Sequence, residues 1–193
     1  MTPNHEQIPL PIDAEEAAVP VQPQSISRDA LILLPMQCYR GPVDLIDNDD
    51  AVPDAIAQLE KETLLGFDTE TKPVFKPGIS HPPALVQLAG EHRAYIFQLQ
   101  KLTHLDALVR IFTNPRIIKA GIALADDLKK LQEVRAFTAA GFIEVGDLAR
   151  KLSITQTGLR SLAGLILGYR VSKREQRSNW ARSQLTPSQI AYA

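Results

Sequence analysis

The sequence is poor in the features that define several protein classes. It has one cysteine, Cys38, in 193 residues. That excludes an intramolecular disulfide framework and any zinc site built from several thiolates. A single thiol fits a reducing compartment, so a cytoplasmic location is the expectation. No apolar run approaches the ~20 residues that a bilayer-spanning helix needs, so no integral membrane segment is expected. The first residues, MTPNHEQIPLPIDAEEAAVP, have neither the basic start nor the apolar stretch of a secretory signal. Neither sign of charge is in excess: Lys+Arg number 21 and Asp+Glu 22, a net charge of -1. The chain therefore lacks the overall basic signature of a nucleic-acid coat protein. What is present, 45% hydrophobic and 22% charged residues, suits one globular domain with a sizeable core and a tail.

The balanced total conceals an asymmetry. Residues 1–29 carry Glu6, Asp13, Glu15, Glu16 and Asp29 against Arg28 alone, and they are broken by Pro3, Pro9, Pro11, Pro20 and Pro23. They read as a flexible, proline-rich acidic arm ahead of a globular part spanning 30–193. From Tyr169 onward the sign reverses, with Arg170, Lys173, Arg174, Arg177 and Arg182 against Glu175. Such a run is ordinarily a solvated face, and it is also compatible with a polyanionic partner.

Between these ends the pattern alternates strand-like and helix-like segments. Val43–Asp47, Thr63–Asp68, Ala84–Ala89, Arg93–Gln98, Ile117–Ile122 and Phe142–Val145 read as strands. Gly90-Glu91-His92 marks a hairpin between the third and fourth of them. Val52–Glu62, Leu102–Phe112, Leu124–Val134, Leu148–Leu152, Leu159–Leu167 and Pro187–Ala193 read as helices. Thr71–Pro83 is too rich in Pro and Gly for regular structure and reads as an exposed loop. The apolar stretch Ala30–Met36 could pack on the body or on a partner. A hairpin beside strands separated by helices implies an α/β fold, a mixed sheet with helices on its faces and a site near the strand ends.

Two acidic groups stand out against this pattern. Asp68 and Glu70 end a buried strand, and residues two apart on a strand face the same side. Paired carboxylates repel each other and resist joint desolvation. A hard cation such as Mg²⁺ or Mn²⁺, which prefers oxygen ligands, removes that conflict. A turn acid beside a solvent-facing acid is the plainer alternative. Asp127 lies in the first turn of the Leu124–Val134 helix, bordering its buried stripe of Leu124, Leu128 and Leu131. An acid at a helix start is often only an end-charge effect. Gln87 is expected to hydrogen-bond across the sheet, Trp180 to pack in the core, and Asp147 to cap a helix. His81, His92 and His104 share no metal-ligand spacing.

Taken together, GFDTETKP, PALVQLA, KAGIALADDLKKL and GLRSLAGLILGYRVSKREQRSNWARSQLTPSQIAYA resemble the DEDD 3′–5′ exonucleases. The likeness is to the branch with ribonuclease D and the Werner-syndrome exonuclease domain, and it runs from about Val43 to Ala193. It implies an RNase H-like fold with a mixed sheet of five to six strands flanked by helices. It also implies two Mg²⁺ or Mn²⁺ ions and hydrolysis of single-stranded DNA or RNA from 3′ ends, releasing nucleoside 5′-monophosphates. On this resemblance Asp68, Glu70 and Asp127 are metal ligands and Tyr192, the tyrosine of the DEDDy subclass, orients the attacking water. The pattern Gly-x5-Asp-Leu-x2-Leu selects Asp127 over Asp126. Thr69, Lys72 and Lys76 are candidate substrate contacts, the lysines from the loop that follows the metal pair. The resemblance places a fourth acid four residues after Tyr192, past Ala193, so the domain is expected to lack its C-terminal end and the 193-residue form to have greatly reduced activity. A catalytically impaired nucleic-acid-binding or scaffold protein on the same fold is the alternative, and oligomeric state is left open.

Overall fold

The computed structural model describes residues 25–76 and 78–193. The arm expected over 1–29 therefore lies mostly outside the described residues. Its last part does have structure: Ser27 Oγ accepts from the Ala30 amide and caps α1 (Arg28–Leu33).

Six strands form one sheet: β1 (Val43–Ile46), β2 (Leu64–Thr71), β3 (Pro83–Ala89), β4 (Ala94–Gln98), β5 (Ile118–Gly121) and β6 (Phe142–Glu144), in the spatial order β1-β4-β3-β2-β5-β6. β2, β3 and β4 run antiparallel in turn, while β1 lies parallel to β4 and β5 parallel to both β2 and β6. The mixed sheet expected from the hairpin and the intervening helices is thus present. β2 sits where antiparallel pairing on one side gives way to parallel pairing on the other.

Alternation along β2 divides the sheet into two faces. Leu65, Phe67 and Thr69 are buried on one side, and Gly66 and Asp68 are open to the other. The first side carries the main core. There α2 (Val52–Leu59) buries Val52, Ala55, Ile56 and Leu59, and α3 (Asp106–Thr113) buries Leu108, Ile111 and Phe112. α4 (Leu124–Val134) adds Leu124 and Leu131 at one-turn multiples, with Leu128 packed beside them. The second side carries two smaller clusters. One gathers Ala84, Leu85, Ile96 and Trp180, with Ile190 and Tyr192 from α7 (Pro187–Tyr192). The other joins Ala149 of α5 (Val145–Lys151) to Ile154 and to Leu162 of α6 (Leu159–Leu162).

The structure corrects several element boundaries. β2 continues through Thr71, because its pairing with β3 persists from Gly66↔Ala89 to Thr71↔Pro83 with one irregularity at Glu70/Thr71. Asp68 and Glu70 therefore stand within a paired strand. The helix expected from Leu102 begins only at Asp106. Asp49 takes the Thr103 amide (2.9 Å), the Thr103 hydroxyl (2.5 Å) and the His104 amide (3.3 Å), and so holds that stretch outside the helix. Leu159–Leu167 is not one α-helix: α6 passes into a π-helical turn over Ala163–Leu167, where Leu31 of α1 packs onto Gly164. Asp147 does not cap α5. Glu144 does, accepting from the Gly146 amide at 3.0 Å, while Asp147 pairs with Arg150. Trp180 is fully buried, as expected. The Ala30–Met36 stretch packs on the body through Leu31, and Ile32, Leu33 and Met36 are exposed.

Candidate active site

Three separate parts of the chain bring acids and a tyrosine together at the end of β2. Asp68 and Glu70 come from the strand itself. Asp127 comes from α4, whose start is set by two devices. Gly121, at the end of β5, lies so close to its surroundings that a Cβ there would fall 2.5 Å from the Phe67 carbonyl oxygen and 2.4 Å from Leu124 Cδ2. Glycine permits that approach, and with it the placement of α4 against β2. Ala123 then turns left-handed (φ 62°), and the Leu124 amide at the helix start donates to Glu144 Oε2 at 2.9 Å. Burial works to raise the Glu144 pKa, but backbone amides of Leu124, Gly146 and Ala123 outweigh it and hold the group below its ordinary value. Glu144 thus anchors the N-termini of both α4 and α5 as an anion. Reading the sequence missed this residue. Its signal was an acid at the last position of a strand and directly before a helix.

Asp127 is half-buried while Asp126 is exposed, in agreement with the spacing argument. The Thr69 hydroxyl donates to Asp127 Oδ1 at 2.5 Å. Thr69, expected as a substrate contact, is instead buried and engaged in holding this acid. Asp68 Oδ1 accepts from the Thr69 amide at 2.9 Å. The Glu70 carboxylate makes no hydrogen bond among the described residues.

The electrostatics couple these groups. Burial raises the Glu70 carboxyl to about 8, with Asp68 and then Asp127 adding repulsion. Burial likewise raises Asp68 to about 6; the Thr69 amide opposes this and Asp127 reinforces it. Asp68 opens onto a groove, so water reaches it, yet protein surrounds it on its other sides. Asp127 is raised chiefly by burial, against the Thr69 hydrogen bond and the charge of Lys130. The Tyr192 hydroxyl is raised by burial and then by Glu70, Asp68 and Glu175, which places it beside the acids.

Tyr192 reaches that position because α7 is well anchored. Thr186 and Gln189 form a capping box, and the Gln189 amide nitrogen also donates to Ser178 Oγ (2.8 Å) and the Asn179 carbonyl (3.2 Å). Gln98 and Gln100 tie the preceding segment to the sheet through the Arg182 carbonyl, at 2.6 and 2.7 Å. The Tyr192 ring lies 5.8 Å from that of Trp180.

The donor chemistry fits a hard divalent cation: all oxygen, with Asp68 and Glu70 each feeling the charge of other acids. Their placement is not yet a closed cage. Among the described residues no three His, Cys, Asp or Glu side chains converge around one point, Asp127 being held by Thr69. Lys72 and Lys76 are exposed on the loop beyond β2, as is Phe75. Gln87 departs from expectation. It is half-buried, its amide nitrogen is shielded from solvent, and that nitrogen has no hydrogen-bond partner.

The model of the family described as 3′–5′ exonuclease matches residues 43–193. The chain belongs to the 3′–5′ exonuclease family. This family generally uses divalent metal ions. Among curated relatives of this exonuclease domain, the mouse bifunctional 3′–5′ exonuclease/ATP-dependent helicase WRN is 31% identical over 146 residues. That match takes in 72% of this chain and 10% of the mouse protein. Ribonuclease D of Haemophilus influenzae is 25% identical over 162 residues, covering 81% of this chain and 39% of the enzyme. The chain thus spans well under half the length of either relative. The crystal structure of the Aedes aegypti Nibbler EXO domain superposes with a TM-score of 0.73, at 23% identity and over 81% of this chain and 84% of that one. That likeness shows the RNase H-like exonuclease fold. No described helix is long and apolar enough to cross a membrane.

Proposed function

We propose that this chain is the catalytic domain of a metal-dependent 3′–5′ exonuclease that hydrolyses phosphodiester bonds at the 3′ ends of single-stranded DNA or RNA and releases nucleoside 5′-monophosphates. One observation carries this reading: Asp127 from α4 and Tyr192 from α7 come to the Asp68–Glu70 end of β2, close enough that Asp127 acts on both of these acids and they in turn act on Tyr192. Membership of the exonuclease family supports it. The domain is taken to occupy 30–193.

Asp68, Glu70 and Asp127 would hold two Mg²⁺ or Mn²⁺ ions. Such ions, when bound, would activate a water and stabilise the departing 3′-oxygen. The acids do not act as bases in this scheme. They offer paired oxygens whose mutual repulsion a cation relieves. Asp127, which here accepts from the Thr69 hydroxyl, would supply the third carboxylate. Tyr192 stays protonated at neutral pH, its pKa being raised above the ordinary value near 10. It therefore positions the attacking water by hydrogen bonding rather than by taking its proton. Lys72 and Lys76, on the loop leaving β2, meet phosphates of the incoming strand.

The test follows a 5′-labelled single-stranded oligonucleotide with the purified chain in Mg²⁺ or Mn²⁺. Stepwise shortening from the 3′ end is expected, abolished by EDTA and by Asp68→Ala. Internal cleavage, or shortening that survives Asp68→Ala, overturns the assignment. A second reading, a nucleic-acid-binding protein without hydrolytic activity, is favoured by the retention of Asp127 on Thr69. It predicts oligonucleotide binding with no shortening.

A further inference from the structure

Gln87 faces Asp68 directly. The two are register partners across the β2–β3 ladder, and Gln87 pairs in turn with Ile96 of β4. Its neighbours Val86 and Leu88 point into the main core, so Gln87 points the other way, to the side of Asp68. Directly opposed side chains on such a pair have Cβ atoms only about 4.5–5.5 Å apart.

Both side chains lie in a groove of about 510 Å³ that runs over this face of the sheet. Its floor is made of small residues, Gly66, Ala89, Ala94 and Ala120, and one wall is the apolar edge of the π-helical turn, with Ile166. A pocket of that size falls in the ordinary range for small ligands. Apolar lining with a few well-placed polar groups is what a flat, mostly apolar ring system bearing hydrogen-bonding atoms requires.

The amide nitrogen of Gln87 has no partner here. A shielded donor left unpaired forfeits its hydrogen bonds to water and is destabilising. A leucine of the same length class would fill the position without that cost. Structure alone therefore gives no reason for an amide at this site, whereas a ligand acceptor would.

We infer that Gln87 donates a hydrogen bond to the nucleoside part of the substrate's terminal nucleotide, which seats in the groove beside Asp68. The inference rests on the exonuclease reading for the nature of its ligand. It adds to the acids a neutral substrate-binding residue, one that would contact the nucleoside and not the scissile phosphate.

The experiment titrates adenosine 5′-monophosphate, and separately inorganic phosphate, into the full chain in EDTA by calorimetry. Wild type is compared with Gln87→Leu and Gln87→Met, with melting temperature recorded for each. Gln87→Leu and Gln87→Met are expected to bind the nucleotide at least about tenfold more weakly. They are also expected to bind phosphate as wild type does and to melt at the same or a higher temperature. A structural role predicts the reverse pattern, with lower melting temperature and unchanged affinity. Equal nucleotide affinity in wild type and variants overturns the inference, as does a wild-type chain that binds no nucleotide. Equal loss of phosphate binding also overturns it, because the donor would then meet the phosphate. Oligonucleotide cleavage is scored independently. Binding that depends on Gln87 in a chain that cleaves nothing removes only the activity reading. Cleavage with Gln87-independent binding removes only this inference.

Discussion

On one face of the sheet Phe67 meets Phe112 and Phe142 edge-on, with ring centroids 6.0 and 5.2 Å away, inside a core where Ile56, Leu59, Leu65, Val86, Leu88 and Phe97 have no exposed surface. One residue further along the same strand, Asp68 looks out from the opposite face into an open groove. There two carboxylates repel each other, and amide Gln87 lacks a partner. The same backbone hydrogen bonds hold both. The contrast teaches that the larger hydrophobic core lies on the face opposite Asp68 and Glu70. The other face retains unfavourable groups that packing alone would remove, as sites adapted to a ligand commonly do.

Substitutions on the two faces should separate these roles. The largest effect is expected in the core: Phe67→Ala removes the hub of the aromatic cluster and should cost about 3–5 kcal/mol of stability in urea denaturation. A loss below about 1 kcal/mol would mean the core face is not the stabilising one. Next comes Asp127→Asn, which keeps shape and the Thr69 contact. It should lower 3′-shortening by more than about 100-fold, beyond the usual loss for a group that only orients a metal ligand, with a denaturation midpoint close to wild type. Smaller again, and opposite in sign to the core change, is Glu70→Gln. Replacing a carboxyl that its neighbours disfavour with a neutral amide should stabilise the metal-free chain by about 1 kcal/mol while removing activity. Destabilisation by that change would contradict the repulsion described above.

A further effect, read against pH, concerns Lys119, a fully buried cation on β5. Its ammonium donates to the Asn114 and Ile117 carbonyls at 2.8 and 2.7 Å and sits 5.1 Å from the Phe142 ring centre. Burial lowers its pKa to about 8 from an ordinary 10.5. Between those values the unfolded chain binds the proton that the folded chain has released, so this group makes stability rise with pH from about 8 to about 10.5. Below pH 8 both states are charged and the contribution is flat at its least favourable. Lys119→Met should reduce the rise, measured as urea midpoints at pH 8 and pH 10. An unchanged rise would assign the dependence to another group.

Much of the architecture was legible in the chain because hydrophobic period and turn chemistry are local. The Leu124–Val134 helix follows from its leucine spacing, and the loop between β2 and β3 from its prolines, although Thr71 and Pro83 at its two ends belong to the strands. Asp127 was separable from Asp126 because only one of two adjacent helical residues can border the buried stripe. Other features were not legible because they depend on partners far along the chain. Asp49 delays α3 by drawing on Thr103 and His104, more than fifty residues away. Glu144 caps a helix that begins twenty residues before it. Thr69 was a candidate substrate contact, and only the folded chain shows its hydroxyl on Asp127, fifty-eight residues away.

By itself the sequence determined most of the strands and helices and the loop after β2, and it singled out the candidate acids, since these signals are local. Only the tertiary structure decided that β2 lies at the junction of antiparallel and parallel pairing, that Gln87 stands against Asp68, and that Tyr192 returns to them from the end of the chain. Those relations arise from packing between segments distant in sequence, and burial and electrostatic coupling exist only once such segments share a space.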